Sequence, residues 1–104
     1  MQKTKLTQDI IIKKLKQELP FLKDKFGIRK IGIFGSFAKG LHGKDSDIDI
    51  IVEFEKPIGL AFVDLADYIE NLFGKKVDLL TPEGIRSIRI KKVALDIEKS
   101  IIYA

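Results

Sequence analysis

The hydrophobic positions change period several times along the chain, and each change marks an element. From Thr7 to Phe26 the apolar residues Ile11, Leu15, Leu19, Leu22 and Phe26 fall three or four apart, the spacing of one helix face. Thr7 offers a side-chain oxygen to the first turn, and Gly27 is a helix stop. Pro20 lies inside this segment. It has no N–H and crowds the preceding turn, so it predicts a kink or a break with a second short helix beginning at Pro20. From Ile28 to Phe34 the chain becomes β-branched and aromatic, which predicts a buried strand. Gly35 to Asp45 reads as a loop with a helical turn at its start, and Asp47 to Phe54 as a second strand.

After a turn at Pro57-Ile58-Gly59, the residues Phe62, Leu65, Ala66, Ile69, Leu72 and Phe73 predict an amphipathic helix closed by Gly74. Lys76 to Leu80 reads as a short third strand. Thr81-Pro82-Glu83 has the form of a helix start, and Ile85, Ile88, Val93, Ile97 and Ile101 extend helix to the end. The order α-β-β-α-β-α predicts an α/β (α+β) fold, a small mixed β-sheet flanked by α-helices. With no repeat or linker, residues 1–104 are expected to form a single domain.

The second strand carries the unexpected chemistry. On a strand, residues two apart point the same way, so Asp47, Asp49 and Glu53 share one face, interrupted by Ile51, while Ile48, Ile50, Val52 and Phe54 fill the core face. Two carboxylates about 5 Å apart repel by about 3 kcal/mol at an effective dielectric near 20. A proton or a cation relieves that repulsion, and oxygen donors without a neighbouring His or Cys suit Mg²⁺ or Mn²⁺. Asp78, set among Val77, Leu79 and Leu80, is a third acid that would converge on the pair if the third strand lies beside the second. Three such acids can hold two ions, clamp a triphosphate and activate a hydroxyl.

Asp45 and Ser46 read as turn residues, and Glu53 as a solvated edge or supporting residue. Gly35-Ser36 directly after a strand would let backbone approach a ligand, with Ser36 and Lys39 adding a hydroxyl and a charge. His42, the single histidine, reads as a surface loop residue. Two familiar motifs do not fit. The EF-hand loop needs Gly where Ile50 stands and Glu where Lys56 stands, and the P-loop needs Lys-Ser/Thr where Leu41-His42 stand.

Composition narrows the classes further. The chain is 45% hydrophobic and 33% charged, with a net charge of +4, so it reads as a globular protein with a mild preference for polyanions. The basic residues are scattered, and no aromatic–basic stacking platform for RNA is apparent. The absence of cysteine excludes disulfides and thiolate metal sites and makes a cytoplasmic location the expectation. No apolar run approaches the ~20 residues of a membrane span, and the first residues lack a signal-peptide core.

Taken together, Gly35-Ser36, ten residues, then Asp47-x-Asp49 resembles the signature of the DNA polymerase β-like nucleotidyltransferase superfamily. Within it, "IGIFGSFAKGLHGKDSDIDIIVEF" and "KKVDLLTPEGI" are similar to the minimal nucleotidyltransferases, the MNT family, from about Ile28 onward. The resemblance implies a nucleotidyltransferase fold. It also implies Mg²⁺ (two ions, or Mn²⁺) on Asp47 and Asp49, with Asp78 as third carboxylate, metal ligand or proton acceptor. Gly35 and Ser36 would hold the triphosphate of ATP. Many relatives carry Arg where Lys39 stands; lysine keeps the charge without the bidentate fork.

MNT proteins are commonly antitoxins of HEPN toxins, which implies AMP transfer from ATP to a toxin tyrosine. A chain with a catalytic core and little room for an acceptor-binding domain agrees with an acceptor that docks as a whole protein. The Ile101-Ile102-Tyr103 tail is equally a docking surface or core, and the apolar termini leave self-association open. Two rival functions remain: a non-catalytic binding module that neutralises its partner by occlusion, and nucleotidyl transfer to RNA or a small molecule.

Overall fold

The computed structural model describes residues 6–43, 45–88 and 91–104, without the side chains at 93, 94 and 96. The expected core position Val93 and the N-terminal segment Met1 to Lys5 therefore lie outside the described set. Helix α1 spans Gln8–Phe26, capped by Thr7, whose hydroxyl accepts from the N–H of Ile10, and ended by Gly27 at φ 67°. It is followed by β1 (Ile28–Phe34), α2 (Gly35–Lys39), β2 (Ile48–Phe54), α3 (Ala61–Phe73), β3 (Val77–Leu80), α4 (Pro82–Arg86), α5 (Lys91–Ser100) and β4 (Ile102–Tyr103).

Pro20 does not divide α1, contrary to the sequence expectation. An interior proline costs about 3 kcal/mol. Ile11, Leu15, Leu22 and Phe26 are all buried on the inner face, each worth roughly 1.5–3 kcal/mol. Their sum outweighs the proline, which sits on the exposed side.

The sheet order is β3-β2-β1-β4. β1 runs antiparallel to both β2 and β4, and β2 runs parallel to β3. A parallel pair needs a long crossover, which α3 supplies. One sheet face packs Ile31, Ile33, Ile48, Ile50 and Val52 against α1 and α3. The opposite face, which carries the acids of β2, also holds a second apolar cluster. Phe34 and Ile51 are buried there with Ile85 of α4, and Ile88, Ile97 and Ile101 close over them.

The C-terminal segment also departs from expectation. Helix does not run unbroken from Pro82; α4 ends at Arg86, α5 ends at Ser100, and the chain then returns to the sheet. Ile102 pairs with Ile33 and Tyr103 with Gly32, and the Ala104 N–H donates to the Ile31 carbonyl at 2.9 Å. Gly32 makes this pairing possible, because a Cβ there would stand 2.6 Å from the Ile102 carbonyl oxygen. Of the tail that read equally as docking surface or core, Ile101 and Ile102 are packing residues, while Tyr103 is exposed with the Lys30 ammonium 5.5 Å from its ring centre.

Candidate active site

The site forms where β1 ends. Phe34 is the last strand residue, and Gly35 turns the backbone at φ 70° into α2. L side chains rarely adopt that conformation. Space forbids one as well: a Cβ on Gly35 would overlap Asp49 Oδ2 and lie 3.1 Å from its Cγ. The glycine therefore brings the start of α2 flush against the carboxylate. No side chain caps the first turn of α2, whose N-cap is Phe34, and Gly40 closes the helix at φ 71°. Ser36 is half-buried in that first turn, and Lys39 is exposed in the last.

Asp47 stands immediately before β2 and Asp49 within it, both half-buried. Asp49 is in register with Phe34 on one side and with Asp78 on the other. Asp78, at the outer strand, is exposed. Burial pushes the Asp49 carboxyl up to about 6, and the charge of Asp78, a hydrogen bond shared with it and the charge of Asp47 push the same way. An acid that keeps its proton this long is one whose neighbours leave it short of positive charge.

That shortage, together with an all-oxygen donor set, fits a hard divalent cation. The fit is one of charge and donor type. Among the described residues no three acidic, histidine or cysteine side chains already stand close enough to form a finished metal cage. Asp49 and Asp78 are paired, and Asp47 flanks them.

The residues around the acids divide into supports and bystanders. The carboxylate of Glu70, in α3, accepts the Val77 N–H at 3.0 Å and so fixes the start of β3 one residue before Asp78. The sequence reading missed Glu70, and its seven-residue separation from Val77 leaves no local signal. Ser46 is structural, accepting from the Gly43 N–H at 2.8 Å. Glu53 pairs with Arg29 at 3.5 Å near the far end of β2. His42 is not a surface residue; it is half-buried and stacked on Phe37, with ring centres 4.1 Å apart. Its Nδ1 is buried without a hydrogen-bond partner among the described residues.

The acids thus stand against a glycine turn on a mixed sheet flanked by helices. Comparison with known proteins gives the family. The nucleotidyltransferase domain model matches residues 12–104. The protein adenylyltransferase MntA of Thermococcus cleftensis is 42% identical over 83 residues, covering 79% of this chain and 80% of that one. A solved chain assigned as a minimal nucleotidyltransferase superposes with a TM-score of 0.73 at 24% identity, covering 96% of this chain and 98% of that one. A solved toxin–antitoxin with AMP-PNP gives a TM-score of 0.61 at 25% identity over 94% of this chain and 72% of that one. The chain belongs to the nucleotidyltransferase domain family.

Proposed function

We propose that this chain transfers AMP from ATP to a tyrosine hydroxyl of a HEPN-type toxin and acts as its antitoxin. The observation that carries the reading is the contact of the Gly35 turn with Asp49, which brings the first turn of α2 beside acids lacking a counter-charge. The relative named protein adenylyltransferase supports AMP transfer to a protein, and the toxin–antitoxin with AMP-PNP supports both a toxin partner and an adenine nucleotide.

In this reading the first turn of α2, with Ser36, receives the triphosphate and Lys39 adds charge at its end. Asp47, Asp49 and Asp78 would hold Mg²⁺, which when bound neutralises the phosphates and favours the ionised acceptor oxygen. Asp78, the exposed member, faces the entering hydroxyl and can take its proton. The whole chain works as one catalytic unit in the cytoplasm, and the partner brings its own hydroxyl to an open site.

The test is a labelling reaction. The full chain is co-purified with the product of the adjacent gene and given Mg²⁺ and ATP labelled at the α-phosphate. Label on the partner, lost in Asp47→Asn/Asp49→Asn, is the expected result. A tightly bound but unlabelled partner would point to neutralisation by occlusion, and label on co-purifying RNA to a nucleic-acid acceptor.

A further inference from the structure

We infer that Lys76 is an acceptor-side binding residue, an ammonium facing the hydroxyl that attacks the α-phosphate; this rests on the adenylyl-transfer reading above. The backbone places it. The Ile48 N–H donates to the Lys76 carbonyl at 3.1 Å, the bond that anchors the Ile48–Val77 pair at the start of the parallel β2–β3 ladder. Lys76 therefore lies opposite Asp47, one strand spacing of about 4.8 Å away.

Strand alternation then fixes its face. Val77 and Leu79 pack into the core under α1 and α3, while Leu80 belongs to the opposite cluster and Asp78 meets Asp49 on that opposite side. Lys76, two residues before Asp78, shares the face of the acids. It is exposed and enters no ion pair among the described residues. Its backbone thus borders the acids, and its ammonium is paired with none of them among the described residues.

The geometry of displacement assigns its side. In phosphoryl transfer the entering and departing oxygens lie roughly in line across phosphorus. The Gly35 turn adjoins Asp49 from the β1 side, whereas Lys76 and Asp78 adjoin the acids from the β3 side. With the pyrophosphate end of ATP on the Gly35 flank, the acceptor enters on the Lys76 flank. The acceptor oxygen forms a bond to the α-phosphorus. The bond from that phosphorus to the oxygen bridging to the β-phosphate breaks, and its electron pair leaves with pyrophosphate. The hydroxyl proton passes to the Asp78 carboxylate. Lys76 exchanges no proton; its charge favours the acceptor oxygen as negative charge gathers there.

The experiment compares the full chain with Lys76→Met and Lys76→Arg in two measurements, calorimetric titration with AMP-PNP and labelling of the adjacent gene product across partner concentrations. The expected result for Lys76→Met is AMP-PNP affinity within twofold of the parent and a kcat/KM for the partner lowered ~10- to 100-fold, with Lys76→Arg recovering most of it. Equal labelling by the parent and Lys76→Met overturns the assignment alone. So does a tenfold loss of AMP-PNP affinity with the partner's kcat/KM at saturating ATP unchanged, since that puts Lys76 on the triphosphate. A parent chain that binds AMP-PNP yet labels no partner overturns the adenylyl-transfer reading, and this inference with it.

Discussion

The backbone of Gly35 and the carboxylate of Asp49 share a space that admits no further atom: a Cβ on Gly35 would sit 3.1 Å from Asp49 Cγ and overlap Oδ2. Gly40, at nearly the same φ of 71°, has nothing within 4 Å of its own hypothetical Cβ. The two glycines separate backbone strain from collision. Gly40→Ala should cost about 1–2 kcal/mol from the left-handed backbone alone. Gly35→Ala should cost more and should also abolish nucleotidyl transfer by displacing Asp49. Thermal melts of both variants beside the labelling assay provide the check, and equal losses would remove the collision from the account.

Asp49 makes stability depend on pH in a definite direction. Its carboxyl titrates at about 6 in the folded chain against an ordinary 3.8. Between those values the folded state holds the extra proton, so stability falls as pH rises through that window and stays low above it. Asp49→Asn should therefore melt higher than the parent at pH 8, by roughly 5–10 °C after allowance for a half-buried group. The difference should vanish below pH 4. A variant that gains as much at pH 4 as at pH 8 would show a packing effect instead.

Cation binding should compete with that same proton. Between pH 7.5 and pH 5.5 the affinity for Mn²⁺, read by titration of the free ion, should fall about fourfold from Asp49 protonation alone. Asp49→Asn should bind more weakly throughout and lose this pH dependence.

Glu70 should matter for activity although it lies outside the acid group. Its carboxylate holds the Val77 N–H at 3.0 Å, and Val77 is the residue before Asp78. Glu70→Ala should cost about 1–2 kcal/mol and leave that amide without its partner. Amide exchange at Val77 and Asp78 should quicken, and transfer should drop more than the melt implies. Glu70→Gln, which keeps an acceptor oxygen, should restore most of both.

The elements that announce themselves by period were legible in the sequence, namely α1, β1, β2, α3 and β3, and so were the acids. Asp49 stood out because a carboxylate in an apolar strand has few inexpensive explanations. What escaped depends on residues far apart in the chain. β4 has two residues, too few for a period, and its pairing rests on the missing side chain of Gly32 some seventy positions earlier. The continuity of α1 through Pro20 is decided by burial of Leu15 and Leu22 against the sheet rather than by local propensity. The stacking of His42 on Phe37 requires the loop to fold back over α2, which no spacing rule encodes.

The third acid belongs to the outermost strand. β1 and β2 hold the middle of the sheet, whereas β3 is a four-residue strand at its edge. Edge strands open before the core they border. On heating, Asp78 should part from Asp49 while α1, α3 and the central strands remain folded. The temperature ceiling of the chemistry is then set by a short ribbon at the rim, and inactivation should precede the melt.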